Sequence, residues 1–113
     1  MRILVTGSTG QIGSELVPEL SKRFGKNNVV ATTPNSYPDD KIASFALFDT
    51  LDVTDKDAIY RVAAHHDIDV IYHLAGILSA AGEENPELAY KVNLQGLHNV
   101  LDVARQLKIK KST

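Results

Sequence analysis

The sequence predicts a three-layer α/β domain built on a parallel sheet, and three features carry that expectation. Apolar runs of strand length alternate with segments of helical period from end to end, the pattern of repeated βα units. A glycine-rich turn stands between the first run and the first helical segment. The last helical segment opens on Asn85-Pro86, an N-cap residue followed by the one helical position that suits proline. With 113 residues, 43% hydrophobic and 23% charged, the chain is expected to form a single domain over 1–113.

The first strand is read at Arg2–Val5, followed by the turn Thr6–Gly13. A helix then places Ile12, Leu16, Val17, Leu20 and Phe24 on one face and ends at Gly25. Pro18 inside it deletes a backbone bond, so a kink is expected there. Asn28–Thr32 is the second strand, and the polar stretch Thr33–Lys41 forms a loop in place of a second crossover helix. Phe45–Leu51 is the third strand. Thr54 with Asp57 three residues on suggests a cap for the helix Asp55–His65. Val70–Leu74 is the fourth strand. The final helix turns Leu88, Ala89, Val92, Leu97, Val100, Leu101, Ala104 and Leu107 inward at spacings of three and four.

Composition narrows the function. A net charge of -2 offers no basic field for a phosphate backbone, so nucleic acid is not an expected partner. With no cysteine there are no disulfides and no thiolate chemistry, which suits a reducing cytoplasm. Neither a metal site nor a membrane span is expected, since no metal-ligand spacing and no long apolar run occurs. His65-His66 near a helix end needs no role beyond the helix dipole.

The chemistry-bearing motif is Thr6-Gly7-Ser8-Thr9-Gly10-Gln11-Ile12-Gly13. Glycines every third residue between a strand and a helix serve three purposes. Gly7 permits the tight turn, Gly10 lets backbone approach a pyrophosphate, and Gly13 lets the helix close on the sheet. The N–H groups of the helix start favour the phosphate, as in a Rossmann-type dinucleotide fold. An unliganded glycine turn is the bland alternative.

These glycines resemble those of the extended short-chain dehydrogenases, the NAD-dependent epimerase/dehydratase family. The likeness continues in Leu51-Asp52-Val53-Thr54-Asp55, similar to the family segment in which an aspartate and the next backbone group hold adenine; Asp55 could equally begin the helix cap. It continues in His73-Leu74-Ala75-Gly76, which resembles the turn beside the nicotinamide ribose. Gly10 to Leu20 and His73 to Ala80 together resemble the L-threonine 3-dehydrogenase branch of that family. The resemblance implies an NAD-dependent oxidation of a small-molecule substrate, L-threonine, to 2-amino-3-ketobutyrate. It implies cofactor contacts at Gly7, Gly10, Gln11, Ile12, Gly13, Thr33, Asp52, Val53, Leu74, Ala75 and Gly76, and a substrate contact at Ser79. Asn93, in Val92-Asn93-Leu94-Gln95-Gly96, has two readings of equal weight. It either ties the helix to the backbone near the fourth strand or orders the proton relay, as the family asparagine does.

Two departures stand out. The acidic residue expected at the end of the second strand is replaced by Thr33, which offers a neutral hydrogen bond where a carboxylate offers charge-assisted ones. No Arg or Lys beside it favours a 2′-phosphate, so the expected cofactor is NAD, weakly held. The family's catalytic Tyr-x-x-x-Lys pair is also missing, because Tyr37 and Lys41, the one pair at that spacing, lie in a Pro-containing loop. The expected sheet order is 3-2-1-4, truncated before a fifth strand. Ser112 then follows no strand, and Val70, Ile71 and Tyr72 form an open edge available for self-association.

Overall fold

The computed structural model describes residues 1–8, 11–34, 46–75, 86–107 and 111–112. The strands are β1 (Ile3–Thr6), β2 (Val29–Thr33), β3 (Leu47–Thr50), β4 (Val70–His73) and β5 (Lys111–Ser112). The helices are α1 (Gln11–Phe24), α2 (Lys56–His65) and α3 (Pro86–Gln106), with a 3-10 turn at Lys26–Asn28. All strand pairs are parallel, in the order β3-β2-β1-β4-β5. The 3-2-1-4 order inferred from the alternation of elements is therefore present.

The fifth strand corrects the sequence reading. Lys111 and Ser112 pair with Val70 and Ile71, so the β4 edge is covered at two of the three residues expected to be open. Two residues suffice because α3 returns the chain parallel to β4, and each ladder bond satisfies a backbone group.

β1 and β2 are buried along their whole length, which explains why residues 3–5 and 29–31 are apolar without alternation in a sheet covered on both faces, each strand ending on buried threonine. One side of the sheet packs Leu4, Val30 and Ile71 against α2 and α3 through Ile59, Val100 and Val103. The other packs Ile3, Val5 and Val29 under α1 through Val17 and Leu20. Arg2 fastens the start of β1, its guanidinium donating to the carbonyls of His66 and Asn27 and its backbone N–H to Asp69 at 2.9 Å. α1 runs unbroken through Pro18, with Val17 and Leu20 buried on either side of it, so the expected kink does not interrupt the helix. Gly25 ends α1 with φ of 95°, a conformation that favours glycine.

Two local assignments change. Asp55, not Thr54, caps α2, its carboxylate accepting from the Ala58 N–H at 3.2 Å. Thr54 instead donates to Asp52 through both backbone and hydroxyl, because the short aspartate side chain closes a turn two residues ahead of itself. Among the described side chains of α3 the buried residues are Gly96, Asn99, Val100, Val103 and Ala104, while Leu88, Leu97 (43% exposed) and Leu101 (48% exposed) face outward. Spacings of three and four describe two stripes on this helix, and the stripe of smaller residues lies on the sheet. Ile12, expected on the inner face of α1, is 64% exposed, whereas Gly13 beside it is buried.

Candidate functional site

At the carboxyl ends of the strands the chain turns away from β1 toward β2 on one side and β4 on the other. Crevices that hold ligands in open α/β sheets form at this kind of reversal. A cavity of about 400 Å³ lies here, with Gly7 and Ala75 on its floor, Pro34, Leu51, Asp52, Val53 and Thr54 on one wall, and Val92 and Asn93 on the other. A larger hollow of about 650 Å³ shares Pro34, Leu51 and Asp52 but extends outward past Asp49, Arg61 and His65, away from β1 and β4. The smaller cavity is the better candidate, because it alone contains the glycine turn.

Backbone crowding sets the shape of this floor. Gly7 has φ of 69°, and a Cβ there would stand 2.7 Å from the Ala75 nitrogen and 2.8 Å from the Leu74 carbonyl. At Gly13 a Cβ would meet the Gly7 oxygen at 2.4 Å and the Ser8 Cα at 2.9 Å, so α1 can pack this closely only without a side chain. Each glycine thus permits a main-chain approach that any other residue would block.

Hydroxyl groups then lock the turn. Ser8, fully buried, accepts from the Thr32 N–H at 2.8 Å and donates to the Val5 carbonyl at 3.1 Å. Thr32 donates its own hydroxyl to the same carbonyl at 2.9 Å, and the Ser8 N–H reaches the Thr32 carbonyl at 3.1 Å. Thr6 Oγ1 accepts from the N–H groups of Leu74 at 3.0 Å and Ala75 at 3.1 Å, and lies 2.9 Å from His73 Nδ1. Burial pushes the His73 pKa below its ordinary 6.5.

The opposite wall hangs from α3. Asn99 is buried and donates to the Val53 carbonyl at 2.9 Å, while Gln95 donates to Asn99 Oδ1 at 3.0 Å. Gly96 lets the helix close on Val53, since a Cβ there would lie 2.9 Å from Val53 Cγ2. Asp52 is exposed at the mouth, and the Thr54 hydroxyl, then the Thr54 N–H, hold its carboxyl below the usual carboxylate range against a small opposing effect of burial.

Gly7, Asp52, Val53, Ala75 and Asn93 therefore share one cavity. Gly13 underlies it, and Leu74 belongs to the turn that closes it. Gln11 and Ile12 begin α1. Thr33 ends β2 and is 1% exposed, and the cavity is lined by the next residue, Pro34, not by Thr33. Gly10, Gly76 and Ser79 lie outside the described residues. Sequence reasoning missed Ser8, Thr32 and Asn99. The signal for Asn99 was its place three residues after Gly96 on the small-residue stripe of α3; Ser8 and Thr32 had no signal beyond adjacency to Gly7 and Thr33.

The profile of the NAD dependent epimerase/dehydratase family matches residues 3–113. The chain belongs to that family. This family member is 38% identical over 108 residues to an uncharacterized epimerase/dehydratase of Staphylococcus haemolyticus, covering 96% of the chain and 34% of the relative. Among solved structures it is similar to the L-threonine dehydrogenase of Clostridium difficile, with 39% identity and a TM-score of 0.89, covering 98% of this chain and 35% of that one. It is also similar to the UDP-glucose 4-epimerase of Thermus thermophilus in complex with NAD, with 30% identity, a TM-score of 0.84 and 99% and 36% of the two chains covered. The chain spans about a third of the length of these relatives. Family membership brings with it a nicotinamide cofactor class. Among the described residues, no helix is long and apolar enough to cross a membrane.

Proposed function

We propose that residues 1–113 form the NAD-binding portion of an oxidoreductase of the L-threonine 3-dehydrogenase type, acting in the cytoplasm on a small-molecule substrate. The supporting observation is the cradle made by Gly7 and Ala75, where two stretches of main chain lie too close for a side chain between them and face the cavity. A pyrophosphate needs such close approach to backbone N–H groups, which Gln11, Ile12 and Gly13 at the start of α1 would supply. Asp52, with one oxygen committed to Thr54, keeps the other for an adenosine group. The Val53 carbonyl already accepts from Asn99, and the Val53 N–H would be the backbone group offered to adenine. Leu74, Ala75 and Gly76 would border the nicotinamide ribose, while Thr33, buried at the end of β2, would leave the adenosine-ribose side to Pro34. Asn93, on the wall facing Ala75, would order the relay that accepts the substrate proton, with Ser79 against the substrate.

When bound, NAD supplies the hydride acceptor, and the hydroxyl-bearing carbon of L-threonine is oxidised to the ketone of 2-amino-3-ketobutyrate. The threonine reading is favoured over sugar-nucleotide epimerisation because the threonine dehydrogenases of Clostridium difficile and Cupriavidus necator, at 39% and 35% identity, exceed the 30% of the Thermus epimerase. Calorimetric titration with NAD tests the cofactor half, with binding expected for the chain and lost in Gly13→Ala. Equal affinity of the two would overturn it. The substrate half is tested on the protein expressed from the gene that carries this segment: NADH formation from L-threonine is expected, and epimerisation of UDP-glucose without it would overturn the assignment.

A further inference from the structure

The hydrogen bonds at Thr6 fix more than the turn they hold. A hydroxyl has two lone pairs and one proton. Both lone pairs of Thr6 Oγ1 are occupied by the N–H groups of Leu74 and Ala75, so its proton has one remaining partner, His73 Nδ1 at 2.9 Å. His73 Nδ1 must therefore be an acceptor, which makes the ring a neutral imidazole with its proton on Nε2. Thr6 and His73 are register partners across β1 and β4, and the ring is half-buried with Cε1 close to Gly96 of α3.

We propose that His73 is a positioning residue for the nucleotide crevice: as a neutral Nε2–H imidazole it takes the Thr6 proton and so holds the Leu74–Ala75 turn against Gly7. The inference deepens the cofactor reading above and rests on it for its effect on binding. A proton on Nδ1 would set two donors against each other. Thr6 would then have to turn its lone pairs to the imidazolium and release an amide of the turn, moving the crevice floor where the backbones of Gly7 and Ala75 approach most closely. Thr6 of β1, Gly96 of α3 and Val53 of the β3–α2 turn surround this region, and none titrates. On those elements, Asp52, Asp55, Lys91 and His98 are exposed to solvent. Burial lowers the His73 pKa, which keeps the accepting form populated at neutral pH.

The tautomer is read directly by long-range proton–nitrogen NMR of the chain, together with hydrogen exchange of the Leu74 and Ala75 amides, and the consequence by NAD titration from about pH 8 to 5. The expected result is a single Nε2–H tautomer at neutral pH, slow exchange at both amides, and NAD affinity that falls as His73 takes up its second proton. His73→Leu should weaken NAD about tenfold across the range, the value of one buried hydrogen bond. His73→Asn, whose Oδ1 can accept where Nδ1 did, should recover most of that affinity and lose the pH dependence. His98→Gln, remote from the crevice, should keep the parent profile. If His73→Leu fails to fold, the tautomer and the His73→Asn profile still decide. An Nδ1–H tautomer, or a His73→Asn profile as steep as the parent's, overturns the proposal. Absence of NAD binding at every pH would instead defeat the cofactor reading, leaving the tautomer and amide exchange to test the positioning role.

Discussion

Replacing Gly96 by alanine pits a local gain against a tertiary clash. Alanine inside a helix is about 1 kcal/mol better than glycine, so an isolated α3 would be strengthened. In the fold, the new Cβ would lie 2.9 Å from Val53 Cγ2 and 3.5 Å from Val53 Cβ, with the His73 ring 3.8 Å away. Restoring ordinary contact requires Val53 to retreat by roughly half an ångström, and a β-branched side chain has few rotamers into which it can turn. Its backbone is also held, because Asn99 grips the Val53 carbonyl. Overpacking of this kind costs about 1–3 kcal/mol. Offset by propensity, the net loss should be about 1 kcal/mol. Val53→Ala alone removes two half-buried methyl groups and should cost about 1 kcal/mol. In the double variant the alanine at position 96 fills the vacated space, so its stability should sit within about 0.5 kcal/mol of Val53→Ala, a coupling of about 1 kcal/mol. Urea unfolding of the four proteins followed by circular dichroism measures the cycle. Additive single effects, or a Gly96→Ala protein more stable than its parent, would refute the claim that α3 is held at glycine distance from Val53.

Gly13→Ala should abolish measurable NAD binding and lower stability by about 2 kcal/mol, since the atoms it meets are all backbone; an unchanged urea midpoint would contradict this. Asn99→Leu should cost about 1–3 kcal/mol by stripping the Val53 carbonyl of its buried donor, and denaturation with parent-like stability would count against that role. Asp55→Ala should cost about 1 kcal/mol through loss of the α2 cap, whereas Thr54→Ala should leave that cap in place; the reverse ranking in thermal melts would restore Thr54 as the cap. The depressed His73 pKa also sets a direction for stability against pH. The unfolded chain binds the extra proton first, so this contribution is complete above 6.5 and is lost as pH falls through the folded-state value. Urea midpoints measured down the pH scale should decline in that window and decline less in His73→Asn.

The sheet order and the location of the crevice were legible in the sequence because they depend on strongly periodic or compositional signals. Such signals include the apolar runs that open β1 (residues 3–5) and β2 (residues 29–31) and the glycines at every third position. What escaped depends on distances between segments far apart in the chain. The orientation of α3 is an example: its leucines give as good a helical stripe as its small residues. Only the close fit of Gly96 to Val53 selects the smaller stripe for the interior. Thr54 and Asp55 present two adjacent candidate caps, and the choice between them follows from the turn that Asp52 makes with Thr54. β5 escaped because a two-residue strand has no periodicity to read, and its register comes from α3 delivering it beside Val70 and Ile71.

The clamp of Ser8 and Thr32 bears on how this glycine turn could be transplanted. Ser8 and the backbone group it anchors are 24 positions apart, and both hydroxyls converge on one carbonyl in a third segment, Val5. A graft that carried only the eight residues from Thr6 to Gly13 would bring the glycines and the start of the helix but would leave a fully buried serine with nothing to hold. The smallest portable unit therefore runs from β1 through β2. A designer moving this turn into a new scaffold would need to supply a threonine on the adjoining strand before judging whether the glycines alone confer affinity.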